Sequence, residues 1–141
     1  MRSFFDTSVL VPTFIDQHVH HEASLKVYLK ADKKHDCCGA HSFAEVYSTL
    51  TRLPRSHRAT AEPAMIFLEE MARRLTFVAL DAEEYWKALA GATESGVGGG
   101  LTYDVLPARC ALKAKVETIH SWNIGHFQQL GTQSARLART P

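Results

Sequence analysis

The sequence predicts an α/β domain of three layers, in which helices cover both faces of a mostly parallel central sheet of four to five strands. Short apolar runs alternate with amphipathic segments along the chain, in the order β, α, α, β, α, α, β, α, α, β. Strands that are separated by helical crossovers run mostly parallel, and the crossovers place helices on the faces of the sheet. In such a sheet the carboxyl ends of the strands share one edge, where open α/β domains bind ligands.

Length and composition are those of one globular domain. The chain has 141 residues, of which 45% are hydrophobic, and a formal net charge of +1. This length supports one ordinary core but not two domains. The balanced charge gives no overall indication of nucleic-acid binding, although a local basic patch is compatible with it. We expect one domain over residues 1–130, followed by a polar, partly disordered tail over residues 131–141.

The chain lacks the marks of a membrane or secreted protein. No apolar run approaches the roughly 20 residues that span a bilayer, and an acidic residue, Asp6, follows the first short apolar run. The three cysteines, Cys37, Cys38 and Cys110, have no metal-type spacing, so we expect them to be buried thiols. A cytoplasmic protein is therefore predicted.

The first strand ends at an acidic residue. The stretch 3–11 predicts a buried strand that leads into a helix over residues 9–15, with Ser8 as its cap. A strand that is buried on both faces has no use for a carboxylate. We therefore place Asp6 at the carboxyl end of this strand, at the ligand-binding edge of the sheet.

A histidine cluster follows, at His18, His20 and His21. It raises the alternative of a zinc site, but the spacing is not the common helical pair of histidines four residues apart, and no cysteine lies nearby. The start of an amphipathic helix over residues 21–33 is the favoured interpretation.

A second acidic residue follows the second predicted strand, residues 36–40. Ser42 is placed to cap the next helix, and Glu45 occupies its third position. Two interpretations remain open here. Glu45 either closes a capping box with Ser42, or it lies at the same edge of the sheet as Asp6.

The next stretch is basic. Arg52, Arg55 and Arg58 surround a proline-containing turn that precedes a strong helix over residues 61–74. Such a turn is usually a solvated surface, and these arginines are weaker candidates for contacts to an RNA backbone.

A third strand and its helix come next. The strand is predicted over residues 77–80, and Asp81 is placed to cap a helix over residues 82–95. We expect Trp86 and Leu89 of this helix to face the core.

The glycine-rich stretch 96–100 precedes a third acidic residue. It lacks the Gly-Lys-Ser/Thr of a phosphate-binding loop, and no strand comes just before it, as a dinucleotide fingerprint requires. We interpret it as a connection to a helix with Thr102 at its cap and Asp104 in its first turn. A last core strand covers residues 116–121, and Asn123 falls just past its end.

Four oxygen-bearing side chains are therefore predicted at one edge of the sheet, namely Asp6, Glu45, Asp104 and Asn123. Clustered carboxylates raise each other's pKa unless a cation neutralises them. A ligand set without His or Cys suits a hard ion such as Mg²⁺ or Mn²⁺. Such sites bind phosphates, and two ions about 3.5–4 Å apart polarise an in-line attack on a phosphodiester.

Four motifs occur in a characteristic order: FDTSVL at 5–10, FAEV at 43–46, GGGLTYDV at 98–105 and SWNIGHF at 121–127. In this order and spacing they resemble those of PIN-domain ribonucleases of the VapC toxin type. The resemblance covers essentially residues 1–130. It implies Mg²⁺- or Mn²⁺-dependent endonucleolytic cleavage of RNA by a homodimer, which a small antitoxin protein blocks.

The resemblance also implies roles for single residues. Asp6, Glu45 and Asp104 match the three acidic catalytic and metal-binding positions, and Asn123 matches a fourth metal position that is often Asp. Ser8 and Ser121 match two hydroxyl positions of the family that lie behind the metal ligands and support them.

Two departures from the family pattern concern the second metal position. Asn123 is neutral, and His126 stands near where the family often has a further acid. These departures motivate an alternative function, a non-catalytic PIN-like module that binds RNA or a partner. A phosphatase with Asp6 as nucleophile is disfavoured, because such enzymes need a second Asp at the position of Ser8.

Overall fold

The computed structural model describes residues 1–54, 58 and 60–141. Within these residues the chain forms five strands: β1 (Ser3–Phe5), β2 (Asp36–Gly39), β3 (Thr76–Val78), β4 (Thr118–His120) and β5 (Ala138–Arg139). The same residues form eight α-helices: α1 (Thr7–Thr13), α2 (His21–Tyr28), α3 (Ser42–Arg52), α4 (Ala61–Arg74), α5 (Ala82–Glu94), α6 (Val105–Lys113), α7 (Ile124–Gln129) and α8 (Thr132–Leu137). A 3-10 helix, Gly99–Asp104, leads into α6. None of the helices described is long and apolar enough to cross a membrane.

The five strands form one sheet in the order β3-β2-β1-β4-β5, and all neighbouring strands are parallel. In the central strand, Phe4 lies opposite Cys37 of β2 and Ile119 of β4. The chain builds outwards from β1 to β3 and then returns to the other side of β1. The strand order therefore reverses between β1 and β4, and open α/β sheets bind ligands at such a reversal.

Two buried clusters lie on opposite faces of this sheet. Phe4, Cys37 and Ile119 belong to one cluster, whereas Phe5 and Cys38 belong to the other. Successive side chains of a strand point to opposite faces, so the adjacent aromatic and cysteine pairs serve both clusters at once. The predicted α/β class, with helices on both faces of a parallel sheet, is confirmed.

Helix α2 ends earlier than residue 33, the end that the sequence suggested. Asp36, which is buried, accepts a hydrogen bond of 3.0 Å from the backbone N–H of Asp32 and pairs with the guanidinium of Arg2. These contacts hold a turn just before β2. The chain leaves the helical conformation because this turn satisfies its polar groups better than a further helical turn would.

The segment 131–141, expected as a polar tail, contains α8 and β5, and β5 pairs with β4 at the edge of the sheet. The Ser134 hydroxyl is buried and donates to the carbonyl oxygen of Phe127 at 3.0 Å. Ala138 is buried as well. A strand of two residues gives no readable alternation, so its pairing with β4 was not apparent from local pattern.

The inward face of α5 differs from the prediction. Trp86 is 76% exposed and Leu89 is 43% exposed, whereas Ala88 is buried against Val105 of α6. Small side chains fill the space between these two helices, and the larger ones are therefore displaced to the outside. The cap at Asp81 forms as predicted.

Candidate metal centre

Asp6 lies where β1 passes into α1, and its backbone and side chain have separate tasks. Its carbonyl oxygen accepts hydrogen bonds from the N–H groups of Val9 and Leu10, at 2.9 and 3.1 Å, so it begins the helix. The predicted cap at Ser8 therefore lies inside the helix. The Asp6 carboxylate makes no capping bond and is 7% exposed. This carboxylate is therefore available for other contacts at the edge of the sheet.

Two hydroxyl groups orient this carboxylate. Ser8 and Ser121 both donate to the same oxygen, Oδ2 of Asp6, at 2.5 and 2.8 Å. Their own oxygens accept the backbone N–H groups of Trp122 and Asn123, at 3.0 and 2.9 Å. The loop after β4 is thus tied to the end of β1 through the two serines, and Oδ1 of Asp6 carries neither of these bonds.

Glu45 is held by Thr7. The Thr7 hydroxyl donates to Oε2 of Glu45 at 2.6 Å. The capping-box interpretation is wrong, because the cap position belongs to His41 and the Ser42 hydroxyl is buried with no partner among the described residues. Glu45 therefore faces the end of β1, as the other interpretation required.

Electrostatics connect these acids. Burial lowers the pKa of His41, and the nearby carboxylates of Glu45 and Asp6 oppose that shift. Burial raises the pKa of Asp104; His126, whose Nδ1 lies 3.1 Å from Oδ2 of Asp104, opposes this shift, and Asp6 adds to it. Asp6 is therefore close enough to shift the pKa of Asp104 and, together with Glu45, the pKa of His41.

Asp104 and Asn123 reach the site from helix starts. Asp104 ends the 3-10 helix and precedes α6, and Asn123 precedes α7. Neither side chain makes a capping hydrogen bond. Like Asp6, both residues occupy a helix N-cap position, but their side chains do not cap the helix and remain available as metal ligands.

The four predicted ligands line one open cavity of about 560 Å³. Ser8 lines it as well, whereas Ser121 lies behind it. Further side chains that the sequence alone did not assign to the site also line it, among them Thr7, His18, His20, Tyr103 and Trp122. Tyr103 and Trp122 directly precede the predicted ligands Asp104 and Asn123, and this adjacency was the one sign in the sequence that they belong to the site. The role of Thr7 is visible only in the structure, through its hydrogen bond to Glu45.

The predicted arginines lie less centrally. Arg52 lines a smaller cavity of about 380 Å³, which Thr7 and Glu45 also line. Arg58 is exposed and donates to the carbonyl oxygen of Leu53 at 2.9 Å. Arg55 lies outside the described residues. The structure thus brings one of the three arginines beside the acidic cavity.

The donor set fits a hard divalent cation. Three carboxylates and one amide offer oxygen ligands in an open, water-accessible cavity, and such ligands suit Mg²⁺ or Mn²⁺ better than softer ions. In the described parts of the chain, however, no three Asp, Glu, His or Cys side chains are already arranged around one ion position. The histidine cluster likewise forms no zinc site there; His20 instead stacks on Trp122.

A family model of the PIN domain matches residues 3–127 of the chain. Two curated relatives come from Mycobacterium tuberculosis. Ribonuclease VapC40 is 37% identical over 101 residues, which are 72% of each chain. Ribonuclease VapC27 is 34% identical over 113 residues, which are 79% of this chain and 78% of that one.

The chain belongs to the PIN-domain family. Two proteins of solved structure share its fold. Mycobacterium tuberculosis VapC20, described as a Sarcin-Ricin loop cleaving toxin, has a TM-score of 0.71 at 11% identity and covers 88% of this chain and 92% of its own. VapBC2 from Rickettsia felis, bound to a DNA fragment from its promoter, has a TM-score of 0.66 at 16% identity and covers 99% and 98%. PIN-domain ribonucleases depend in general on a divalent metal.

Proposed function

We propose that this PIN-domain protein is a Mg²⁺- or Mn²⁺-dependent endoribonuclease and the toxin of a VapBC-type toxin–antitoxin pair. One observation carries the proposal. Three carboxylates and Asn123 line a single open cavity at the reversal point of the sheet, in a chain that is similar to VapC ribonucleases. An acidic cavity of this kind repels a phosphodiester unless a cation intervenes, so the donor set and the substrate both require a metal.

Asp6, Glu45 and Asp104 would hold the metal, with Asn123 as a neutral fourth ligand. The ion, when bound, lowers the pKa of a coordinated water and stabilises the negative charge that develops on the phosphate. Because Asn123 contributes no charge, the second metal position should be weakened more than the first. Nδ1 of His126, which lies 3.1 Å from Oδ2 of Asp104, stands near where the family often has a further acid.

The residues around the ligands act by positioning. Ser8 and Ser121 hold Oδ2 of Asp6, which leaves Oδ1 available as a metal ligand. Thr7 holds Oε2 of Glu45 in the same way. Carboxylates that are fixed before the ion arrives lose less conformational entropy on binding it, and this preorganisation is a large part of what a protein supplies to catalysis.

Arg52 is the arginine best placed for the RNA backbone. It lines the smaller cavity that shares Thr7 and Glu45 with the acidic cavity, where an RNA strand that passes the carboxylates would lie. Contacts of this kind are electrostatic, so binding through Arg52 weakens as salt is raised. Arg55 and Arg58 stay weaker candidates for the same role.

The proposal also includes partners and a location. The chain would act as a homodimer in the cytoplasm, where an antitoxin protein blocks the acidic cavity. Three buried free thiols, Cys37, Cys38 and Cys110, suit a reducing compartment. Co-expression with a small protein encoded by a neighbouring reading frame tests the antitoxin: it should restore growth and co-purify with the chain. Failure of every neighbouring product to do so would contradict the toxin role and leave the nuclease intact.

Cleavage is tested with Asp6→Asn. We expect this variant to abolish Mg²⁺-dependent cleavage of a structured RNA, seen on a denaturing gel, while circular dichroism shows an unchanged fold. Asp16→Asn is the matched control, because Asp16 is exposed and does not line the cavity. Chelation with EDTA should stop the wild type, and either Mg²⁺ or Mn²⁺ should restore it. Undiminished cleavage by Asp6→Asn would refute the proposed site.

A second candidate, a non-catalytic RNA-binding module, is favoured by the neutral Asn123 and by carboxylates that are not yet gathered around one ion position. RNA binding isotherms with and without Mg²⁺, run beside the cleavage gel, separate the two functions. Binding without products at every metal concentration would select the module.

A further inference from the structure

Three aromatic rings line the acidic cavity, and the proposed metal chemistry does not use them. Tyr103 lies on the 3-10 helix directly before Asp104, and its side chain lines the cavity while remaining 69% exposed. His20 and Trp122 line the same cavity from the loop before α2 and from the loop after β4. Each ring is therefore adjacent to the loops that carry the candidate ligands.

The His20–Trp122 pair forms a stacked, fixed surface. The two ring centroids lie 3.7 Å apart, and the ring planes differ by 10°. The Trp122 indole N–H donates to the buried Ser24 hydroxyl at 2.9 Å, and its backbone N–H donates to Ser8 at 3.0 Å. The backbone N–H of His20 donates to Nδ1 of His18 at 3.0 Å. Both members of the pair are thus anchored, and Ser8 is the residue that also orients Asp6.

The Tyr103 ring is largely exposed. Tyr103 directly precedes Asp104, the last residue of the 3-10 helix, so its backbone is adjacent to that of one candidate ligand. Unpaired nucleobases bind to proteins by stacking on exposed aromatic rings. A cavity of about 560 Å³ is also within the usual range of roughly 300–1,000 Å³ for sites that enclose small ligands.

We propose that Tyr103 and the His20–Trp122 pair, which line the same cavity, form a nucleobase-binding site that positions the RNA on the candidate metal centre. This inference rests on the proposed function and deepens it. Bases that flank the scissile phosphate stack on these rings, and the phosphate between them is thereby placed at the carboxylates. Tyr103 is a positioning residue, since its ring touches a base and takes no part in proton transfer.

The experiment measures base recognition without cleavage. A Trp86→Phe background leaves Trp122 as the one tryptophan of the chain, which has two, and Trp86 itself is an exposed residue of α5 away from the cavity. The probes are a single-stranded uridine hexamer and an abasic ribose-phosphate hexamer of equal length and charge. They are titrated at low salt with Ca²⁺ in place of Mg²⁺, so that a hard cation screens the carboxylates, and a denaturing gel checks that both probes stay intact. Because both carry the same phosphates, the ratio of their dissociation constants isolates the contribution of the bases.

We expect the uridine hexamer to bind roughly tenfold more tightly than the abasic one and to change the Trp122 emission. Tyr103→Ala should remove most of this ratio, whereas Tyr103→Phe should retain it because the ring remains. Tyr85→Ala is the matched control, since Tyr85 is an exposed tyrosine of α5 that does not line the cavity, and it should leave the ratio unchanged. Equal binding of the two hexamers, binding of neither, or an unchanged ratio in Tyr103→Ala would overturn the proposal.

The outcome is separable from that of the proposed function. Base preference without metal-dependent cleavage supports the nucleobase site while it refutes the nuclease. Cleavage by a chain that shows no base preference does the reverse. With Mg²⁺ present, Tyr103→Ala should raise the KM for a uridine-containing RNA more than it lowers kcat, because stacking acts on the bound substrate as well as on the transition state.

Discussion

The Thr7 hydroxyl donates a 2.6 Å hydrogen bond to Oε2 of Glu45 across 38 positions of the chain. It joins the first turn of α1 to the first turn of α3, the helices that follow β1 and β2. Neighbouring parallel strands bring these two helix starts to the same edge of the sheet. The bond fixes one carboxylate oxygen of Glu45 and leaves the other for the cavity.

Thr7→Val should therefore weaken the nuclease without unfolding it. Valine keeps the shape of threonine but removes the donor, so Glu45 gains conformational freedom that metal binding must then restrict. Hydrogen bonds to charged groups contribute about 1.5–3 kcal/mol, and we expect cleavage to fall roughly tenfold or more. The measurement is the cleavage rate at a series of Mg²⁺ concentrations. Thr7→Ser, which keeps the hydroxyl, should stay close to the wild type; an equal loss in both variants would count against the role of this bond.

Ser121→Ala should destabilise the fold. Ser121 is fully buried; it donates to the buried Asp6 and accepts the N–H of Asn123, so its removal leaves a buried acceptor and a backbone donor each short of a partner. A loss of about 1–3 kcal/mol in the free energy of unfolding is expected. Urea denaturation measures it. The exposed Ser95 supplies the control, and Ser95→Ala should change the unfolding free energy by much less.

Asp81→Ala should lower stability while it spares cleavage. The Asp81 carboxylate accepts a hydrogen bond from the backbone N–H of Glu84 at 2.8 Å, and the Glu84 carboxylate accepts one from the backbone N–H of Asp81 at the same distance. Loss of such a cap costs about 1 kcal/mol. Asp81→Asn keeps an acceptor and should lose only a few tenths of that. Because α5 does not line the acidic cavity, cleavage at a temperature well below the unfolding midpoint should be unaffected; a parallel loss of activity would show that α5 influences the site.

The pH dependence of stability should include a contribution from His120. Burial lowers its pKa below the usual 6.5, with Asp36 opposing and Arg2 adding to the shift. The unfolded chain therefore binds this proton more readily than the folded one, and stability falls as pH drops through the region below about 6.5. His120→Gln removes the titration. Urea midpoints between pH 7.5 and 5 should fall less in the variant than in the wild type, and parallel profiles would contradict this assignment.

Much of the sheet edge was predictable because strand ends are signalled locally. Asp6 and Asn123 follow short apolar runs, and polar residues at those points have no place inside a buried strand. The parallel order of strands then follows from the alternation of strands with helices, without any knowledge of contacts. This is why the α/β class and the position of the acids at one edge could be inferred together.

Glu45 shows where local pattern is insufficient. Its spacing from Ser42 satisfies a capping box, and nothing within the helix decides against it. The competing partner, Thr7, is distant in sequence and becomes adjacent only when β1 pairs with β2. The wrong prediction for α5, that Trp86 and Leu89 face the core, also comes from relying on local pattern. Helical periodicity defines a stripe, but the space between α5 and α6 admits Ala88 and Ala92 and excludes Trp86.

The support of Asp6 by Ser121 also has a consequence for synthesis. The two residues are 115 positions apart and meet only through the parallel pairing of β1 with β4. Parallel pairings of distant strands form late, because loop closure must precede the contacts that reward it. A nascent chain that has not yet produced β4 therefore has Asp6 without Ser121 and without Asn123. The candidate metal centre is therefore assembled only once almost the whole sheet has left the ribosome.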